Sequence, residues 1–200
     1  MRKARIDICP SAMLMFAVLF YLSDTKEFLA FVLPVAVHEL GHIAVIRLLG
    51  LRIYGFEFEL SGLRIDYSGY TGYAGHAAAA LAGPAAGFAY SFAASGLGNR
   101  MENPVLCLSA GISLILSAFN MLPALPLDGG RAALYIGSAL WGERKGEYAA
   151  CIVSTFIGAT LLAAGIFLMH SGYGAAVLLA AVWLLIFQDT EGLVKKRKVM

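Results

Sequence analysis

Val37-His38-Glu39-Leu40-Gly41-His42 lies inside Phe28 to Leu49, a segment that is otherwise almost wholly apolar. The pattern is HExxH. On a helix, residues four apart sit one turn apart on the same face, so the imidazoles of His38 and His42 can reach a single Zn²⁺. Glu39 stands beside them, placed to hold the attacking water and take its proton. The setting gives the motif its weight. The segment is long enough to cross a bilayer, where ionisable groups are costly and usually functional. The plain alternative, a solvated helix with a coincidental histidine pair, needs water that such a segment does not offer.

Outward from this stretch, the composition agrees. The 200-residue chain is 60% hydrophobic and only 14% charged, with a mean hydropathy of +0.75. Soluble domains carry about 25% charged residues. The chain therefore reads as a polytopic membrane protein forming one domain over residues 1–200. Cys9, Cys107 and Cys151 are far apart, with no CxxC pair, and read as small membrane-core residues rather than a disulfide framework or thiolate metal site. The first apolar run lacks a small-residue cleavage site and is expected to be a retained span.

Six spans are expected, at residues 8–22, 28–49, 76–97, 105–140 with a break near 120–130, 148–169 and 173–187. Between the second and third, residues 51–67 change period. Ile53, Phe56, Phe58, Leu60, Leu63, Ile65 and Tyr67 alternate with polar residues, with one slip at Gly55, which is a β-hairpin signature. The expected fold class is thus an all-α polytopic membrane protein, a six-helix transmembrane bundle with a short membrane-associated β-hairpin. Pro34 should kink or loosen the second span, and Gly50 is a plausible end for it. Gly83-Pro84-Ala85-Ala86-Gly87 is a small-xxx-small pattern that lets helix backbones approach closely in lipid.

Charge distribution suggests an orientation. Six spans put both termini on one side, and that side would hold Arg2, Lys3, Arg5, Arg144, Lys145 and the Lys195-Lys196-Arg197-Lys198 tail. The opposite loops would hold only Lys26 and Arg100. The positive-inside rule then places both termini in the cytoplasm of a multi-pass protein. The basic tail also favours anionic lipid. Nucleic-acid binding has no support.

Two histidines leave a zinc site short of one protein ligand. Asp128, in the broken part of the fourth span, is the other acidic residue at a plausible membrane depth on a distant segment. A carboxylate beside Gly129 and Gly130 can reach a metal held by the second span, leaving a fourth position open. The plain alternative for Asp128 is a helix N-cap. Asn120 is a neutral donor suited to a peptide carbonyl or its oxyanion, with a helix–helix hydrogen bond as its alternative. His76, near the start of the third span, reads as interfacial rather than as a ligand.

HELGH together with Asn120-x-x-Pro123-x-x-Pro126-Leu127-Asp128-Gly129-Gly130 resembles the site-2 protease family of intramembrane zinc metalloproteases, most of all its stage IV sporulation protein FB branch. The likeness covers about residues 1–190. It implies one Zn²⁺ per chain held by His38, His42 and Asp128, with Glu39 as general base and Asn120 contacting substrate or oxyanion. It also implies a bacterial cytoplasmic membrane, a transmembrane or membrane-associated protein substrate, and a regulatory membrane protein as a possible partner. A sporulation role follows from the branch resemblance alone. Many members carry Asn where this chain has Gly87, so a polar role at that position is in doubt. Several relatives carry PDZ or CBS domains, which this chain does not.

A helical substrate has its carbonyls tied up in intrahelical bonds and must open before it can be cut. The 51–67 hairpin offers an edge with which an extended substrate could pair. The rival reading is a membrane metal-ion transporter, which also puts His and acidic residues on membrane helices. It needs a continuous polar path that the third, fifth and sixth spans do not supply, and gives no reason for the Asn120–Gly130 pattern. A non-catalytic scaffold is weakened by the presence of Glu39 and all three expected ligands.

Overall fold

The computed structural model describes residues 5–59, 62–171, 174–175 and 177–184. It divides into two compact units, residues 1–120 and 121–200.

The first unit opens with a short strand, β1 (Arg5–Ile8), then α1 (Pro10–Leu22), α2 (Thr25–Leu48), β2 (Arg52–Glu59), β3 (Gly62–Ser68), α3 (Tyr73–Arg100) and α4 (Pro104–Asn120). Local chemistry sets these limits. Pro10 opens α1, where its missing N–H costs nothing because first-turn donors lack partners anyway. The Glu27 carboxylate accepts from the Asp24 N–H at 3.4 Å at the start of α2, which begins three residues before the expected span. At the other end, Gly50 takes φ +73°, and the Gly50 and Leu51 N–H groups donate back to the Arg47 and Ile46 carbonyls. That is a Schellman closure, and it needs a left-handed residue at Gly50. Asn103 caps α4 through its Oδ1, which accepts from the Val105 and Leu106 N–H groups at 3.1 and 3.2 Å. α2 and α3 continue through Pro34 and Pro84, both buried.

The hairpin forms as expected and is larger than expected. β2 and β3 pair antiparallel from Arg52↔Ser68 to Glu59↔Gly62, with a register shift between Ile53 and Gly55. Tyr54 is the extra residue of a bulge, and the slip in the alternation at Gly55 is its sequence trace. Leu60 and Ser61, between β2 and β3, lie outside the described residues. β1 adds a third strand, parallel to β2 from Arg5↔Gly55 to Ile8↔Phe58, so the sheet order is β1-β2-β3. The expectation of a two-stranded hairpin is corrected here. An isolated hairpin is marginal in water, and a third strand with an apolar face gives it support. Ile53, Ile65 and Tyr67 pack on a buried cluster of Ile46, Leu51 and Ala79, which seats the sheet on the end of α2 and the start of α3.

The second unit contains α5 (Asp128–Trp141), α6 (Glu143–Phe167) and a 3₁₀ turn (Leu168–Ser171), with residues 174–175 and 177–184 also helical. α5 and α6 are joined by Gly142 alone, at φ +85°, a conformation that glycine adopts without strain. The charged residues 143–147, just before the expected fifth span, form the start of α6.

α2, α3 and α6 are long and apolar enough to cross a membrane, while α1 and α4 are shorter apolar helices. The chain is a membrane protein. Leu14, Ile115 and Phe156 lie exposed on their helices, as lipid-facing side chains would. The six-span count is not reproduced as such. The expected fourth span is two helices, α4 and α5, divided at the break expected near 120–130, and both ends of the expected sixth span, together with the basic tail, lie outside the described residues.

Candidate metal centre

His38 and His42 sit one turn apart on α2, His38 buried and His42 partly so. Their Nε2 atoms are 3.3 Å apart. Two nitrogens about 2.0–2.1 Å from a tetrahedral zinc lie roughly 3.3–3.4 Å from each other, so the pair already has the bite of a chelate. The His42 Nδ1–H donates to the Ala79 carbonyl at 2.8 Å. That bond fixes the tautomer and leaves the His42 Nε2 lone pair for a metal, the usual arrangement of a ligating imidazole. The two residues fit a zinc ion by donor type and spacing, and His42 also by tautomer.

The neighbouring helix makes room for them. A Cβ on Gly83 would stand 2.2 Å from His42 Nε2, and a Cβ on Gly41 would stand 2.6 Å from the Ala82 carbonyl oxygen. α2 and α3 therefore meet through the glycine inside HELGH and the small-residue run of α3, as the small-xxx-small pattern expects. Glu39, partly buried, occupies the next position on α2 after His38.

Asn120 is the last residue of α4, and its amide donates to the Leu116 carbonyl of its own helix at 3.0 Å. An amide has two N–H donors, so this bond orients the group without exhausting it. Gly87 lacks a side chain because the space is taken. Its added Cβ would stand 2.1 Å from Ser117 Oγ, and its carbonyl accepts from Ser113 Oγ at 2.8 Å. His76 shares a hydrogen bond with the Tyr67 hydroxyl at 3.1 Å, tying α3 to β3 rather than joining the histidine pair.

In the second unit, Asp128 is the first residue of α5 and Leu127 holds the cap position. The N-cap alternative for Asp128 therefore does not apply. The preceding segment is folded tightly over the first turn. Ala124 N–H donates to Leu122 and Leu127 N–H to Ala124, while Leu125 N–H donates to Ser154 Oγ on α6 at 2.8 Å. An added Cβ at Gly129 would stand 2.2 Å from the Met121 carbonyl oxygen, and one at Gly130 2.3 Å from the Ala124 carbonyl carbon. The two glycines are what let this segment lie against α5 and present Asp128 at its tip.

The Ala79 carbonyl and the roles of Gly41 and Gly83 were beyond the motif reading. Backbone acceptors leave no mark in a sequence, but glycines one turn apart opposite a histidine pair are a signal that could be sought.

A helix crossing a membrane with two imidazoles set to chelate one ion defines the class of site. Among solved structures, the chain is similar in fold to the Site-2 Protease from Methanocaldococcus jannaschii, with a TM-score of 0.71 and 22% identity over 93% of this chain and 89% of that one. At that identity the likeness is one of fold. No protein-family model matches the chain. No curated protein matches it either.

Proposed function

We propose that the chain is an intramembrane zinc metalloendopeptidase of the site-2 protease family, with residues 1–200 acting as one catalytic domain. It hydrolyses peptide bonds of a transmembrane or membrane-associated protein near the cytoplasmic leaflet of a bacterial membrane. The observation that carries this reading is the 3.3 Å separation of the His38 and His42 Nε2 atoms, with His42 Nδ1 committed to Ala79. The fold similarity to a site-2 protease supports it.

In this reading His38, His42 and Asp128 hold the zinc, which supplies Lewis acidity and lowers the pKa of water to about 7. Glu39 takes a proton from the attacking water and returns it to the leaving nitrogen. Asn120 donates to the carbonyl oxygen as charge develops on it. The close packing of α2 on α3 keeps bulk water from the imidazoles, which strengthens these interactions. Both termini face the cytoplasm, and a regulatory membrane protein controls access.

Purified protein should contain zinc and cut a membrane-protein substrate in a manner that a chelator stops and zinc restores. Glu39→Gln should retain the zinc and lose turnover by a factor of at least about 100. Ion flux into vesicles without cleavage would favour the transporter instead.

A further inference from the structure

Residues 121–127 lead into α5 without being helical, so their backbone has to find its partners elsewhere. Ala124 N–H donates to the Leu122 carbonyl at 2.8 Å and Leu127 N–H to the Ala124 carbonyl at 2.9 Å. Pro123 and Pro126 have no N–H to offer. Leu125 N–H is answered from outside the segment, by Ser154 Oγ on α6 at 2.8 Å. The Ser154 hydroxyl gives its own proton to the Ala150 carbonyl one turn back, at 2.7 Å. It is a buried group with donor and acceptor both in use. Among apolar helices, irregular backbone is tolerated where protein groups answer its freed N–H and C=O, and Ser and Thr side chains are among those that do so.

The place of this bond gives it meaning. An added Cβ on Gly130 of α5 would stand 2.5 Å from Leu125 N, while Ser154 meets the same nitrogen from α6. The Leu125 peptide is therefore held between the two helices. The Ala124–Leu127 turn then runs straight into the cap of α5, and Asp128 follows as its first residue. Two turns before Ser154, an added Cβ on Gly146 would stand 2.4 Å from Ser138 N, near the far end of α5. Residues eight apart share a face of a helix. One face of α6 thus grips α5 directly at one end and through Leu125 at the other. The first contact is packing; the second is a directed bond onto the segment that presents Asp128.

We propose that Ser154 is a positioning residue for metal binding, its hydroxyl fixing residues 121–127 so that Asp128 is presented in one orientation. This rests on the protease reading above, in which Asp128 is a zinc ligand. A hydroxyl on a helix can spend its proton on the carbonyl four residues back with no further role, as Thr160 does toward Phe156 at 2.8 Å. Ser154 differs by its second bond, accepted from a main-chain N–H three residues before the carboxylate. With alanine in its place, the Leu125 N–H loses its acceptor, and the segment must shift to find another. Asp128 moves with it, because only the turn and the cap lie between them.

The experiment is a zinc-affinity cycle on the full-length protein in detergent. It compares wild type, Ser154→Ala, Asp128→Ala and the double variant, with Thr160→Val as control. Ser154→Ala should weaken zinc binding about 10–100-fold, as when other outer supports of a ligand are lost. Thr160→Val removes a back-bond of the same kind and should stay within about twofold of wild type. In the Asp128→Ala background, Ser154→Ala should weaken binding by less than about twofold more, since it acts through that carboxylate. Amide hydrogen exchange at Leu125 should quicken in Ser154→Ala. Equal losses from Ser154→Ala in both backgrounds would mean a general loosening of the fold and overturn the proposal. So would a loss of the same size in Thr160→Val, or Leu125 exchange unchanged in Ser154→Ala. Should Ser154→Ala not fold, Ser154→Cys, which keeps a side chain of similar shape with a weak acceptor, takes its place with the same expected outcomes. Undiminished affinity in Asp128→Ala sinks the ligand reading, while the hold of Ser154 on the segment is still read from exchange at Leu125.

Discussion

His42 is fixed on two sides, by the Ala79 carbonyl at Nδ1 and by the absence of a side chain at Gly83 beside Nε2. Gly83→Ala would place a methyl group 2.2 Å from that nitrogen, so the ring must turn or α3 must move. Zinc affinity should fall about 10–100-fold, as when other supports of a ligating histidine are lost, and a competitive zinc titration would measure it. Asp128→Ala should lower zinc affinity further still if that carboxylate is the third ligand, while leaving helix content by circular dichroism unchanged. An Asp128→Ala protein with undiminished affinity would remove that residue from the site. His38, Glu39 and His42 were readable because a helix turns every 3.6 residues, so side-chain spacing alone brings them together. The carbonyl of Ala79 was not, since any residue there offers the same acceptor.

Among the elements, the segment before α5 depends on contact rather than on propensity. Gly129→Ala would press a methyl group against the Met121 carbonyl oxygen at 2.2 Å. Overpacking of this kind costs about 1–3 kcal/mol, and a lower thermal midpoint with displaced Asp128 should follow. The cluster of two prolines and two glycines marked the break in the sequence, while its tight return over α5 came from backbone hydrogen bonds that composition does not encode. The sheet divides in the same way. β2 and β3 were visible through alternation, and even the bulge at Tyr54 left a slip in the pattern. β1 is four residues long with Arg5 and Asp7 in it, and it pairs with a strand some fifty positions away, so no local signal announces it. If an extended substrate adds to the outer edge of β3, prolines placed where β3 N–H groups face away from β2 should reduce cleavage and leave zinc bound. Unchanged cleavage at each such position would rule this edge out.

At the scale of the whole molecule, hydropathy identified a membrane protein, and the break expected near 120–130 falls between α4 and α5. Apolar content is additive along the chain and survives any local rearrangement, whereas the division of the expected fourth span into α4 and α5 depends on how residues 121–127 fold. The proposed orientation predicts that a cysteine at Asp24 reacts with impermeant reagents from outside the cell and one at Tyr54 does not. The opposite pattern would invert the topology. A constraint on any such map comes from β1. Hydrogen bonds from Arg5 through Ile8 to β2 bracket α1 and α2 between two strands of a single sheet. The polypeptide must leave and return to the same leaflet within that interval, so if α2 traverses the bilayer, the thirteen-residue α1 cannot merely lie along its surface. It has to carry the chain inward to the depth from which α2 brings it back.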